Sequence, residues 1–466
     1  MKKKNYLGKQ DENRGIIMFG VFLVLAMILF GIIVVINKHQ EKKDMEGIKS
    51  VEQLRNIIEK QVADVTTYAV YGNVLRLEGK LSEKITDYIV TSLRTVQIVL
   101  KDKEGDKYVY DVKYYISSEG IDFYFDEEQT INKGINLDEI EEGEYFAFLR
   151  ITYSSTKTET GENYKYYTLK NLTEYIEDIE YYTTTDEEGN NRKIDLVFNT
   201  SKNVESYFTI ISKNIAIESN IYDIVIDAGH GGNDVGASYG KEYESQYTLE
   251  YALLLKESLE KEGYRVKLTR EIDERTPSYG TGGRAVLPYE VKAKLILSIH
   301  LNSDVIDVKD GGVEIYAANN LDLSFAKVIA DNIVKYTGAN YSFKTPNKKL
   351  DGVYVRTYSD NDVEEAKKYA NEKNYDPYDS ITTDTTYFFI LRETGGISTK
   401  AYIDGRNLEI ANNPYFNSNV GVESYLIELG YIISENDLNR LKEQKNDYIT
   451  AITEAINSHY RSESKK

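Results

Sequence analysis

Cysteine is absent from the 466 residues. Disulfides, thiolate nucleophiles and Cys-ligated zinc are therefore excluded, and any bound metal must rest on His, Asp or Glu. Histidine is scarce too, with only His39, His230, His300 and His459. Five prolines rule out long proline-rich linkers. A basic excess is also missing: the formal net charge is -19, which argues against general nucleic-acid binding. What remains is a globular composition, 41% hydrophobic and 29% charged, in a chain long enough for two or three domains.

One long apolar run stands near the start. Residues Ile16–Ile36, "IIMFGVFLVLAMILFGIIVVI", contain no charge over 21 positions. As a helix at ~1.5 Å per residue this spans roughly 30 Å, the thickness of a bilayer core. No small-residue cleavage site follows it, so the run reads as a retained anchor rather than a signal peptide. Lys2, Lys3, Lys4, Lys9 and Arg14 precede it. Positive-inside logic then places residues 1–15 in the cytoplasm and everything after the anchor outside it, at the cell membrane.

Residues 37–66 show helix-like apolar spacing and read as a stalk. From 67 to 216 the texture is β: short aromatic or alternating runs such as "TVQIVLKD", "KYVYDVKYYIS" and "EYFAFLRITYS", with turns at "DKEGDK" and "DEEGNNRK". Such strands suggest a β-sandwich or a barrel, and an all-β, sandwich-like domain of unknown role is expected there, its tyrosines packing on half-buried strands. From 221 to 460 strands and helices alternate. "YDIVIDAG", "YRVKLTR", "AKLILSIH", "GGVEIYAAN" and "SYLIELGYI" read as strands. "TLEYALLLKESLEKEG" and "DLSFAKVIADNIVKYTG" read as helices closed by glycine. Such alternation predicts an α/β fold, a mainly parallel sheet with helices on both faces and its chemistry beyond the carboxyl ends of the strands.

His230 and His300 each follow the last apolar residues of a predicted strand, so both are expected at one edge of the sheet. Two imidazoles need a third protein ligand to make an open catalytic zinc site. Glu242 and Glu244 both lie just after the glycine loop, and local spacing does not choose between them. Glu428 is an acid inside the apolar run "YLIELGY", an expensive position for a carboxylate without a role. It is the candidate general base for an attacking water and the later proton donor to a leaving amine. Two rival chemistries are weaker. The loop lacks the Gly-Lys-Ser/Thr ending of a phosphate-binding loop. "GASYG" fits the G-x-S-x-G pattern, but no strand runs directly into Ser238 as a nucleophile elbow requires.

The blocks "IVIDAGHGGNDVGAS", "ESQYTLEYALLLKESLEKEGYRVKLTR", "LILSIHLNS" and "YLIELGYI" resemble the zinc-dependent N-acetylmuramoyl-L-alanine amidases of the Amidase_3 type. The resemblance covers about 221–460. It implies Zn2+ held by His230, Glu244 and His300, with Glu428 as the catalytic glutamate, and it selects Glu244 over Glu242. Arg284 matches a family arginine of structural role. It also implies peptidoglycan as the partner, by cleavage between N-acetylmuramic acid and L-alanine. The sequence departs from the family pattern in three places: Glu423 stands where a proline is usual, Ser434 replaces an asparagine, and residues 350–419 form a longer segment expected to border the cleft. Two other readings share these residues, a binding or regulatory protein that no longer turns over and a zinc exopeptidase on another amide. A regulatory protein partner is not identifiable from the sequence.

Overall fold

The computed structural model describes residues 62–82, 91–127, 130–154, 162–171, 178–183, 191–201, 204–216, 219–304, 309–372, 382–394 and 419–461. The expected anchor at 16–36, the tail before it and His39 lie outside them, as does the stalk apart from 62–66. Among the described residues no helix is long and apolar enough to cross a membrane.

The N-terminal unit is all β, as expected, but it closes into a barrel rather than stacking as a sandwich. Its strands are β1 (Val62–Tyr71), β2 (Val74–Leu81), β3 (Leu93–Asp102), β4 (Gly105–Ser117), β5 (Gly120–Tyr124), the short β6 (Ile135–Asn136), β7 (Gly143–Ser154), β8 (Glu162–Asn171), β9 (Ile179–Thr183), β10 (Asn191–Ser201) and β11 (Val204–Ile215). Strand β1 thus begins inside the segment expected to be helical. The order β1-β2-β5-β4-β3-β7-β8 returns to β1, because β8 pairs antiparallel with β7 and parallel with β1. Strands β11, β10 and β9 extend the sheet outward from β7. Inward positions carry the core, among them Leu75, Leu77, Ile98, Leu100, Leu149, Ile151 and Leu169. Alternating burial is common to sandwiches and barrels. What separates them here is a single long-range parallel pairing, Val62–Val65 against Thr168–Asn171, to which no local pattern points.

The C-terminal unit is a seven-stranded mixed sheet. Its strands are β12 (Ile224–Ala228), β15 (Val266–Leu268), β16 (Leu295–Asn302), β17 (Glu314–Ala317), β18 (Lys348–Leu350), β19 (Val353–Tyr354) and β21 (Glu423–Tyr431). A hairpin of β13 (Ser238–Tyr239) and β14 (Glu242–Tyr243) stands apart, and β20 (Val420–Gly421) joins the barrel. The order is β15-β12-β16-β21-β17-β19-β18, parallel from β15 through β21, with β17 antiparallel to β21. The helices are α1 (Glu244–Lys261), α2 (Leu287–Glu290), α3 (Ser324–Thr337), α4 (Asp360–Glu372), α5 (Phe389–Thr394), α6 (Glu435–Glu443) and α7 (Lys445–Arg461). Adjacent residues of β21 show that both faces are covered, since neighbouring strand side chains point to opposite sides. Tyr425 meets Phe325 of α3 edge-on, whereas Ser424 Oγ donates to the Leu391 carbonyl of α5. Helix α6 starts on Ser434, whose side chain accepts from Asp437 N and donates to Lys309 O. The serine at the family's asparagine position therefore serves as a helix cap.

The same alternation separates the two acids of β21. Glu423 points to the α3/α7 face, where its carboxylate accepts from Tyr425 and Tyr460 hydroxyls at 2.7 and 2.8 Å and meets His459 Nε2 at 3.0 Å. His459 also stacks on Phe325 at 4.0 Å. The acid in the proline's place thus lies at the other end of the strand from Glu428, paired with a histidine of the last helix.

The two units share structure. Strand β20 pairs parallel with β1, and Tyr71 joins the C-terminal core. Between them Lys294 Nζ lies 3.0 Å from Asp138 Oδ2, both nearly buried, and Tyr181 donates to Asp138 Oδ1 at 2.7 Å. Burial alone would raise the Asp138 carboxyl, but Lys294 and the hydrogen bonds outweigh it and hold it below the usual carboxylate range. A depressed acid adds stability above its unfolded pKa of about 4 and loses it as pH falls through the folded value. Lys294→Met leaves Asp138 charged and unpaired at neutral pH, a cost of about 3–5 kcal/mol. Calorimetry is expected to show the two units melting separately in this variant, and in the wild type only at acid pH. One unchanged transition in Lys294→Met would refute the coupling.

Candidate metal centre

Strands β12 and β16 run side by side in parallel, and their carboxyl ends deliver His230 and His300 to the same edge. The chain leaves β12 through Gly229 and turns sharply. His230 sits in the left-handed region at φ 60, and Gly231 and Asp234 close a tight backbone bridge. Two glycines make the space. A Cβ on Gly229 would lie 2.5 Å from the His300 ring, and one on Gly236 would lie 2.5 Å from Glu244 Oε2. Gly236 also adopts φ +66, which other residues resist.

Glu244 is the first residue of α1. Loop carbonyls take the first helical donors, Ala237 O from Glu244 N at 2.9 Å and Val235 O from Ser245 N at 3.1 Å. They fix the helix start in place of a side-chain cap. The buried carboxylate then faces both imidazoles. Its Oε1 lies 3.2 Å from His230 Nε2 and 2.9 Å from His300 Nδ1, and it accepts from Leu301 N at 3.0 Å. Oε2 accepts from Ala237 N at 2.8 Å. One ligand atom from each of His230, Glu244 and His300 lies within 4.8 Å of the others, a group able to hold a metal ion. Two imidazoles and a carboxylate, with no thiolate, fit zinc in a site that keeps an open position.

The electrostatics agree with convergence. Burial pushes Glu244 up, but the imidazoles outweigh it and hold the carboxyl far below its ordinary value. Burial also lowers His230, while Glu244 and Asp234 more than compensate and raise it. Asp234 meets His230 Nδ1 at 3.1 Å, so Nε2 is the nitrogen left facing the centre.

Below the loop lies a buried polar support. Asp227, at the end of β12, accepts from Ser298 Oγ at 2.6 Å and Thr269 Oγ1 at 2.8 Å and pairs with Arg284. Arg284 also donates to Ala228 O at 2.8 Å and His230 O at 2.5 Å. Arg270, only 2% exposed, donates to Ala228 O at 3.0 Å and Gly229 O at 2.9 Å. The family resemblance implies a structural role for Arg284, whereas the roles of Arg270 and Asp234 emerge only from the structure. The four-residue spacing of His230 and Asp234 across a glycine turn was the available signal for the latter.

Glu428 stands directly across from His300 in the β16/β21 ladder and from Glu314 on its other side. The ladder slips by one residue just beyond, where Asn302 faces Tyr431, a bulge of the kind that re-aims side chains beside sites. Glu428 keeps some accessible surface, yet its Oε2 is enclosed without a hydrogen-bond partner among the described residues. Burial, then the Glu244 and Glu314 charges, push its carboxyl well above the usual range. Other candidates fall away. Glu242 turns outward to Tyr247 at 2.6 Å and Lys442 at 2.7 Å. Ser238 is exposed on the β13/β14 hairpin, not on a strand-to-helix elbow.

A partly parallel α/β sheet with two histidines and a carboxylate converging at its strand ends, and a raised acid beside them, defines a metal-dependent hydrolase type of centre. The family model described as N-acetylmuramoyl-L-alanine amidase matches residues 224–458, just over half of the chain, and the chain belongs to that family. It is similar to the germination-specific N-acetylmuramoyl-L-alanine amidase of Bacillus subtilis, 32% identical over 144 residues, covering 28% of this chain and 60% of that protein. It is also similar to the probable cell wall amidase LytH of Staphylococcus epidermidis, 35% identical over 116 residues, covering 24% of this chain and 36% of the relative. The chain thus spans less than two thirds of the length of either relative. The crystal structure of an N-acetylmuramoyl-L-alanine amidase from Clostridium difficile 630 aligns over 53% of this chain and 100% of its own at 20% identity, with a TM-score of 0.34.

Proposed function

We propose that the C-terminal half hydrolyses the amide between the lactyl group of N-acetylmuramic acid and the L-alanine that begins the stem peptide. The observation that carries this reading is the convergence of His230, Glu244 and His300 with Glu428 across the ladder from His300. These three residues hold the zinc. Bound there, zinc supplies Lewis acidity, polarising a carbonyl and making water more acidic. Glu428 takes the proton of the attacking water and returns it to the departing L-alanyl nitrogen. Asp234 fixes the His230 ring, and Arg284 and Arg270 fix the loop carbonyls beneath it.

The uncharged run 16–36 anchors the chain in the cell membrane, and the barrel and the catalytic unit stand outside the cytoplasm, where peptidoglycan is. Digestion of purified peptidoglycan with the zinc-loaded chain, followed by mass spectrometry, is expected to release intact stem peptides beginning with L-alanine. Cleavage within the stem would indicate a peptidase instead, and zinc-loaded protein that cleaves nothing would indicate a binding role.

A further inference from the structure

We propose that a cavity beside the metal centre is the subsite for an acidic residue following L-alanine in the stem peptide, with Arg356 binding its carboxylate. This rests on the amidase reading above and adds a specificity determinant to it. The cavity is about 540 Å3, within the range of small-ligand sites, and its walls include Asp304, Tyr316, Lys344, Arg356, Tyr358 and Asp362.

Its position follows from the ladder. Asp304 lies four residues beyond His300. Tyr316 donates to Glu314 Oε2 at 2.6 Å, and Glu314 is the residue across from Glu428. Lys344 Nζ lies 3.1 Å from Asn302 Oδ1 and 3.7 Å from Glu314 Oε1. The near wall is therefore one side chain removed from the proposed base. The far wall, with Arg356 and Tyr358, comes from the 350–419 segment that lengthens this domain. In this proposal the residues that follow a substrate amide at the metal centre extend into this space.

The charges in the cavity are not equivalent. Lys344 is partly answered by buried Glu314. Asp362 is engaged in a capping box at the start of α4, accepting from Ser359 N at 2.9 Å and Ser359 Oγ at 2.7 Å while its own N–H donates to Ser359 Oγ at 3.2 Å. Arg356 differs. Its guanidinium lies 3.6 Å from the Tyr387 ring centroid; after the Ser359 hydrogen bonds, its charge helps to hold the Asp362 carboxyl below its ordinary value, but among the described residues it makes no direct ion pair. A stacked guanidinium is held in orientation by its face while its edge stays free for a carboxylate, which it can bind through two parallel hydrogen bonds. An amide offers one acceptor in place of two and no charge.

The test uses the full zinc-loaded chain and two N-acetylmuramoyl dipeptides. They differ only in the α-carboxyl group of the residue after L-alanine, a free acid in one and a carboxamide in the other. The wild type is expected to prefer the acid by about 10–100-fold in kcat/KM, expressed mainly in KM, as for a charge-assisted pair. Arg356→Gln is expected to bring that ratio to within about twofold, and Arg356→Lys to restore part of it. Reading the ratio within each variant separates loss of the carboxylate contact from a general loss of folded enzyme. Equal use of both substrates by the wild type, or an unchanged ratio in Arg356→Gln, overturns the subsite alone. Hydrolysis of neither substrate overturns the amidase reading and the subsite with it.

Discussion

Glu428→Gln is expected to retain its zinc and to lose about 100- to 10,000-fold in turnover, the range contributed by a positioned general acid–base. The substitution keeps the size and shape of the side chain and removes only its ability to exchange a proton. Nothing in the metal-ligand set changes, because Glu428 faces His300 across the ladder and is not one of the three converging residues. Zinc content by elemental analysis and stem-peptide release by chromatography read the two halves separately. Full activity in this variant would remove Glu428 from the reaction, and loss of zinc would make it a ligand.

A second reading of the same variant concerns stability. An acid whose folded pKa is raised loses stability as pH climbs past its unfolded value of about 4.3, because the fold resists the charge. Burial and the charges of Glu244 and Glu314 impose that cost on Glu428. The glutamine variant, measured without metal at neutral pH, is therefore expected to melt no lower than the wild type. A gain in stability together with a loss of turnover is the signature of a group kept for chemistry rather than for the fold.

The strands and helices of the catalytic unit were legible because buried strands and amphipathic helices leave different periods in sequence. His230 and His300 were legible because both follow apolar strand runs, and parallel strands put such positions at one edge. The choice between Glu242 and Glu244 was not. Two residues apart, they are separated only by where α1 begins, and loop carbonyls set that start rather than a capping side chain. The reversal of β17 and the closure of the barrel depend on pairings between distant segments, which alternation alone does not encode. The pairing of His459 with Glu423 leaves no local signal, because Glu423 lies 36 residues earlier on another element.

The other large effect is expected from Arg284→Met, which acts from beneath the metal loop. In the wild type Asp227 is fully enclosed, and burial alone would raise its carboxyl. Arg284, Ser298 and Thr269 outweigh that and hold it below the usual carboxylate range. Removing the guanidinium strands a buried carboxylate, at a cost of about 3–5 kcal/mol, or a fall of roughly 6–20 °C in Tm for a unit of this size. The wild-type pair stabilises above the unfolded carboxyl pKa of about 4 and fades as pH falls below it. The gap between variant and wild type should therefore be widest near neutral pH and should narrow toward pH 4, where the variant protonates Asp227. Asp227→Asn combined with Arg284→Met removes both charges and is expected to recover most of the lost stability. It should not recover zinc affinity, because the His230 carbonyl still lacks the Arg284 donor that holds the ligand loop in place. Loss of such a supporting contact commonly weakens metal binding by about 10–100-fold. Recovered stability with weakened zinc binding would separate the two roles of Arg284, and zinc affinity equal to the wild type in the double variant would leave it only the structural one.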